Sequence, residues 1–278
     1  MKNILLTILS IVAGFGISYF SINAYLKTYG LDEVKSESKA IKNKSTLDFT
    51  SRDIQKSFKS WDSYSKKNID LMSTFKALDE NGEKISKGAF LNLLRIGSYL
   101  PKKNVDKGEV FYQLVPLKNT SEIKIKKSIK SLANNANHYF RMEGKRLPTY
   151  DFVDLNGVSY NKEDTKGKLL VLKCWFITCK VCVEEFPELN KLVDKYKDEK
   201  VAFVSLAFDE KEKLINFLKT KTFKYPTIPM QKKYMSKKLK VKQYPTHVIV
   251  DTNGVIIKMV NNVRTLSSEL DRILGKVN

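Results

Sequence analysis

The second half of the chain predicts an α/β fold, a mixed sheet flanked by helices. Three observations carry that prediction. Residues 169–172 and 201–208 are almost unbroken apolar runs, the pattern of strands buried on both faces. Between those runs Cys182, Phe186, Leu189, Val193 and Tyr196 recur three or four apart, which places them on one face of a helix. Residues 246–250 and 255–260 flank Thr252-Asn253-Gly254, a hairpin signal with Asn-Gly as the favoured type I′ pair, so antiparallel strands join the sheet.

Composition narrows the function classes. The chain has 278 residues, 42% of them hydrophobic, which suffices for one large domain or two modest ones with a real core. Lys+Arg number 50 against 30 Asp+Glu, a net charge of +20 that favours anionic membrane surfaces or acidic partners. The lysines are scattered and accompany no nucleic-acid motif, so the balance reads as a solvated basic surface and not as a nucleic-acid site. Three cysteines are too few for a disulfide scaffold, and only two histidines, His138 and His247, weaken any metal-centred reading.

Residues 4–26 carry no charged side chain, with Lys2 before them and Lys27 after. A bilayer core of about 30 Å needs roughly 20 helical residues, so 1–27 reads as a transmembrane signal anchor that exports the body of the protein. The alternative is a secreted protein after signal cleavage, for which Ile22-Asn23-Ala24 is a poor cleavage site. Residues 28–48 are a polar linker. Residues 49–118 read as a small α+β module of unknown role. Its elements are a helix from Thr50 or Ser51 to Tyr64, a strand within 69–77, a turn at Glu80-Asn81-Gly82-Glu83, a helix over 89–100 capped by Ser86 and stopped by Pro101, and a strand over 109–117. Residues 119–142 are a connecting helix with Ile125, Ile129, Leu132, Ala136 and Tyr139 on one face. His138 lies there alone, in a packing or surface role.

Residues 143–278 follow as strand–turn–strand over 150–160, the strand at 169, its helix, the strand over 201–208, a helix over 210–219 and an extended piece at 225–228. A short helix over 231–239, the hairpin and a closing helix marked by Leu266, Leu270, Ile273 and Leu274 complete it. The chemistry concentrates at Cys179-Lys180-Val181-Cys182, where the central strand gives way to a helix. Unpaired N–H groups and the helix dipole stabilise a thiolate there. They lower the first thiol from roughly 8.5 to about 3.5–7.5 in such motifs, and a second cysteine one turn on is placed to resolve a mixed disulfide.

Three marks in order carry a family resemblance. Gly144 to Gly157 and then Gly167-Lys168 form a lead-in; Trp175, the CxxC and Glu185-Phe186-Pro187-Glu188-Leu189 form the core motif; Tyr244-Pro245-Thr246 runs into the hairpin. Together they resemble the thioredoxin fold in its TlpA/ResA-like group of exported thiol–disulfide oxidoreductases, over roughly 143–278. The resemblance implies Cys179 as nucleophile, Cys182 as resolving thiol, Pro245 in a cis peptide that aims Tyr244 at substrate, Pro187 as a kink in the helix, and Glu185 near the cysteines assisting proton transfer. It implies no cofactor beyond the Cys179-Cys182 disulfide and no metal. The implied partners are exported cysteine-containing proteins and a membrane electron donor or acceptor.

The departures from the family pattern bear on tuning. Val181 and Thr178 replace the usual proline and aromatic, and Lys180 sets a cation between the cysteines, which favours thiolate. Lys173 lies six before Cys179, where thioredoxins bury an acid. It either pairs with Glu185 behind the cysteines and tunes thiol ionisation, or snorkels to solvent. Cys174 faces the opposite side of the sheet as a small buried hydrophobe. The leading expectation is a membrane-tethered oxidoreductase acting mainly as a reductase. The alternatives are a copper carrier, which wants CxxxC, and a peroxiredoxin-like peroxidase, which wants a lone cysteine after Thr-x-x.

Overall fold

The computed structural model describes residues 51–106, 108–118 and 121–276, so the expected anchor at 1–27 and the polar linker at 28–48 lie outside the described residues. Among the described residues no helix is long and apolar enough to cross a membrane. They fall within one compact unit, Ser45–Asn278.

The chain enters through α1 (Ser51–Ile54) and α2 (Phe58–Asn68). The single helix expected to Tyr64 is thus two. The reason is Ser57, whose hydroxyl accepts the Ser60 N–H at 3.2 Å and restarts the helix as its N-cap. Trp61 on α2 is fully buried and donates its indole N–H to Ser128 Oγ at 2.9 Å. The expected strand over 69–77 shrinks to β1 (Lys76–Leu78), because Asp70 Oδ1 accepts the N–H groups of Met72 and Ser73 and folds that stretch into a turn. β2 (Lys84–Ile85) pairs antiparallel with β1.

Ser86 caps α3 (Lys87–Ile96) as expected, its hydroxyl accepting Ala89 N–H at 3.1 Å. The helix ends at Gly97, φ +84, and not at Pro101; a left-handed C-cap is a position glycine fills without strain. Pro101 lies inside β3 (Tyr99–Asp106), which pairs with β4 (Glu109–Pro116) in the sheet order β2-β1-β4-β3. β3 is an edge strand, where a missing N–H is tolerated.

α4 (Ile123–Phe140) buries Ile125, Ile129, Ala133, Ala136 and Tyr139. Leu132, expected on that face, is 37% exposed, and Ala133 takes its place. β5 (Asp151–Val153) and β6 (Ser159–Asn161) form a two-stranded hairpin. Next come β7 (Leu169–Trp175), α5 (Lys180–Glu184), α6 (Phe186–Lys195), β8 (Val201–Ala207) and α7 (Lys211–Leu218). β9 (Thr227–Ile228) precedes a π-helical turn, Tyr234–Lys238, and β10 (Thr246–Val250), β11 (Ile256–Val260) and α8 (Val263–Ile273) close the chain. The five-stranded sheet has the order β11-β10-β7-β8-β9. β7, β8 and β9 run parallel, and β10 and β11 are antiparallel additions. This is a thioredoxin-like α/β fold. All seven residues of β7 are buried, as a central strand covered on both faces requires.

Three hairpin turns share one construction, Asp-x-Asn-Gly, at Asp79, Asp154 and Asp251. At the last, Gly254 N–H donates to Asp251 O, and the Asp251 carboxylate accepts the N–H groups of Asn253 and Val255 at 2.9 and 2.8 Å. Gly254 has φ +80, whereas Asn253 stays out of the positive-φ region. The expected type I′ pair, which needs positive φ at both residues, is therefore replaced by an Asp-stapled turn ending in a left-handed glycine. Replacing Asp251 by alanine removes the oxygen that accepts both N–H groups and is expected to cost about 1–2 kcal/mol, read as a lower urea midpoint at unchanged slope.

Candidate active site

The site forms where β7 ends. Trp175 is buried in the sheet, and Phe176, Ile177 and Thr178 carry the chain to Cys179. Two hydrogen bonds fix this loop. Cys179 N–H donates to Phe176 O at 3.0 Å, and Ile177 N–H donates to Asp209 Oδ2 at 2.8 Å, just past β8. Cys179 is the N-cap of α5 and forms a disulfide with Cys182, their Cα atoms 5.2 Å apart. Cys179 is half-buried and Cys182 fully buried.

The helix behind the cysteines is not continuous. It divides at Glu185 into α5 and α6, with Pro187 in the first turn of α6. Proline has no N–H to give to Val183 O four residues back, and that carbonyl accepts Glu185 N–H instead. The dipole at Cys179 is thus that of a short helix, and thiolate stabilisation rests mainly on its first-turn N–H groups.

Tyr244-Pro245 is a cis peptide. Tyr244 meets the rings of Phe176 and Phe208 edge-on at 5.5 and 4.9 Å, and these two rings stack at 5.0 Å. Tyr244, Cys179 and Cys182 belong to one packed cluster, together with Trp175 and Phe186. The structure therefore joins the proline loop to the redox loop. Thr246 turns away from it: its buried hydroxyl donates to Gln243 O at 2.7 Å and meets Tyr139 Oη at 2.8 Å, which locks the loop to α4.

Beneath the site lies a buried ionic group. Lys173 is 0% exposed and donates from Nζ to Glu185 Oε2 at 2.7 Å. Of the two arrangements open to it, the paired one is present and snorkelling is not. His247 sits opposite Lys173 in the β7–β10 register, and its Nε2 lies 3.1 Å from the same Glu185 oxygen. Val263 N–H donates to Glu185 Oε1 at 2.8 Å from the start of α8. Burial opposes ionisation of Glu185, but His247 and Lys173 outweigh it and hold the carboxyl down to about 2. Burial, aided by the charge of Lys173, pushes His247 below its ordinary value, so the ring is neutral at pH 7. An ionised carboxylate only accepts, so Nε2 carries the proton and Nδ1 is left as a buried lone pair without a partner.

Lys180 is in a different situation. Its side chain is 87% exposed, and it pairs loosely with Glu184 at 3.7 Å. Lys180→Gln is expected to leave the pH-dependence of Cys179 alkylation close to wild type, since a solvated charge with its own counter-ion does little at a distance. Cys174 is free and fully buried on the opposite face, with burial pushing its thiol up to about 12. Among the described residues no group of His, Cys, Asp and Glu could hold a metal ion.

Sequence reasoning set His247 beside Pro245-Thr246 but missed its contact with Glu185, and it missed Asp209. The signal for His247 was available: it lies two after Pro245 on a strand that neighbours β7, and alternation alone sets it on the Lys173 face. Asp209 had no comparable signal, because its partner is a backbone N–H.

The AhpC/TSA family model matches residues 144–259. The thiol-disulfide oxidoreductase ResA of Bacillus thuringiensis subsp. konkukian is 31% identical over 135 residues, 48% of this chain and 78% of that protein. The chain belongs to the ResA family of thiol–disulfide oxidoreductases. A second relative, the thioredoxin-like protein YneN of Bacillus subtilis, is 34% identical over 118 residues, 41% of this chain and 68% of that protein. A solved structure titled as a thiol:disulfide interchange protein DsbE from Chlorobium tepidum aligns with 48% of this chain and 96% of its own, at 20% identity and a TM-score of 0.43. As in other ResA-like oxidoreductases, the redox-active group is a cysteine pair and not a bound cofactor.

Proposed function

We propose that the chain is an exported, membrane-tethered oxidoreductase that works mainly as a reductase of extracytoplasmic proteins. Cys179 is its nucleophile and Cys182 its resolving thiol. The observation that supports these roles is the difference in access: Cys179 is half-buried at the end of the redox loop, whereas Cys182 is sealed. In the reduced enzyme the Cys179 thiolate attacks one sulfur of a substrate disulfide. That bond breaks, the departing substrate sulfur takes up a proton, and a mixed disulfide forms. Cys182, once deprotonated, attacks the Cys179 sulfur and releases the second substrate thiol. Two electrons have then passed from the enzyme pair to the substrate. Tyr244, Pro245 and Thr246 form the substrate-facing loop, with Thr246 holding it in place. A membrane-borne donor restores the dithiol.

The direction follows from charge. A strong oxidant stabilises its reduced thiolate. Here Lys173 is committed to Glu185, and Lys180 is a solvated charge loosely paired with Glu184, so neither cation does much to stabilise Cys179. The reading therefore assigns Lys173 and Glu185 the task of setting the site's neutrality. Equilibration with glutathione buffers tests it. The expected midpoint is about −200 mV or lower; a value near about −120 mV would make the enzyme an oxidant.

The tethered location rests on the uncharged run at residues 4–26. The division that goes with it is anchor 1–27, tether 28–48, module 49–118, connecting helix 119–142 and redox domain 143–278. In intact cells, reduced Cys179 is expected to react with a membrane-impermeant thiol reagent and to pellet with membranes. Protection from the reagent would place the domain inside.

A further inference from the structure

A groove of about 1170 Å³ runs between the N-terminal module and the redox domain. Its walls are the C-terminal end of α2 and the turn after it, part of β3, α6, and the start of α8. Two of its lining residues connect it to the redox site. Gln243 in its lining immediately precedes the cis peptide, and Val263 in its wall donates its N–H to Glu185 at 2.8 Å. An occupant of the groove would therefore lie beside the substrate-facing loop and against the wall that holds Glu185.

The charge of the lining is one-sided. Glu188 and Asp271 are neutralised by Lys191 at 2.7 Å and Lys195 at 2.5 Å. Asp70 spends one oxygen on the N–H groups of Met72 and Ser73 and the other on the Thr265 hydroxyl. Lys67, Lys103 and Arg264 line the same groove from three separate elements, and none makes an ion pair among the described residues. Three cations on separate elements, without counter-ions among the described residues, form a complement to carboxylates spaced along an extended chain.

We propose that this groove docks an acidic stretch of the cysteine-containing substrate protein and holds it while the neighbouring cysteine meets Cys179. The proposal rests on the oxidoreductase reading above and adds the substrate class. Docking lowers the cost of finding the productive orientation at a half-buried sulfur, a gain in proximity that involves no new covalent step.

The test uses the full chain and two fluorescent peptides without cysteine, one carrying a run of glutamates where the other has glutamines. The acidic peptide is expected to bind about tenfold more tightly at low salt, a preference screened away as ionic strength rises. In the triple variant Lys67→Glu, Lys103→Glu, Arg264→Glu the ratio of the two dissociation constants should fall to about one or invert. The triple glutamine variant guards against misfolding of the reversal and should lower the ratio in the same direction. Equal binding of the two peptides, or a ratio retained in both variants, overturns the proposal. So does binding to anionic phospholipid vesicles that depends on these three charges when peptide binding does not. Disulfide turnover is read separately on versions of the peptides that carry a disulfide. A chain that binds the acidic peptide but exchanges no disulfide keeps the groove and removes the redox reading. A chain that turns over both at equal KM loses the groove alone.

Discussion

Glu185→Ala is expected to lower folding stability by about 3–5 kcal/mol, the range for removing one partner of a buried ion pair. Lys173 would stay fully buried with its ammonium facing a void, Val263 N–H would lose its acceptor, and the His247 imidazole would lose its hydrogen-bond partner among the described residues. For a domain of this size that corresponds to a melting point roughly 6–20 °C lower, measurable by circular dichroism. The double variant Glu185→Leu, Lys173→Met should recover part of the loss, because it removes the stranded charge along with its partner. If the single variant melted within about 2 °C of wild type, the buried pair would not be part of the folded protein.

The same group gives acid stability a definite shape. Glu185 is held at about 2 in the folded chain against roughly 4.3 unfolded, so its contribution is complete above pH 4.3 and is lost as pH falls through 2. His247 is depressed when folded, so below about pH 6.5 the unfolded chain binds a proton that the folded chain refuses, and stability falls with pH there too. The two effects have one sign and act in successive windows. Melting points taken from pH 7.5 down to 3 should decline in two stages. His247→Asn should flatten the upper stage and shrink the lower one, because the imidazole is one of the two groups that hold Glu185 down.

Cys179→Ser carries the second large effect. It is expected to lower disulfide reduction by about a thousandfold or more, because serine supplies neither a thiolate nor a sulfur able to form the mixed disulfide. The fold should be little changed, since the residue is half-buried and its substitute is isosteric. Insulin reduction followed by turbidity reads the loss, and circular dichroism checks the fold. Retention of more than a tenth of the activity would move the reacting sulfur elsewhere.

The redox half was legible because its signals were local and strong. The central strand announced itself by the apolar run at 169–172, and the cysteine pair stands where that strand must turn. The pairing of Lys173 with Glu185 was legible as one of two arrangements, since a cation on an all-buried strand needs a partner. His247 was not, because its meaning depends on which strand lies beside β7, and that is a matter of topology. The module was harder. β3 is lysine-rich and contains Pro101, so it lacks the apolar alternation of a half-buried strand; it is stabilised by pairing along all of β4. The break at Ser57 was missed because serine is a neutral helix residue until its hydroxyl meets a free N–H, which only the fold decides.

The central claim is that Cys179 makes the covalent contact with substrate and Cys182 undoes it. The most direct measurement is trapping: the reduced Cys182→Ser chain is incubated with a disulfide-bearing protein, the thiols are blocked, and adducts are separated under non-reducing conditions. A dithiothreitol-sensitive adduct should accumulate with Cys182→Ser and be absent with Cys179→Ser. An adduct that forms through Cys182 when Cys179 is missing, or none in either variant, would contradict the account.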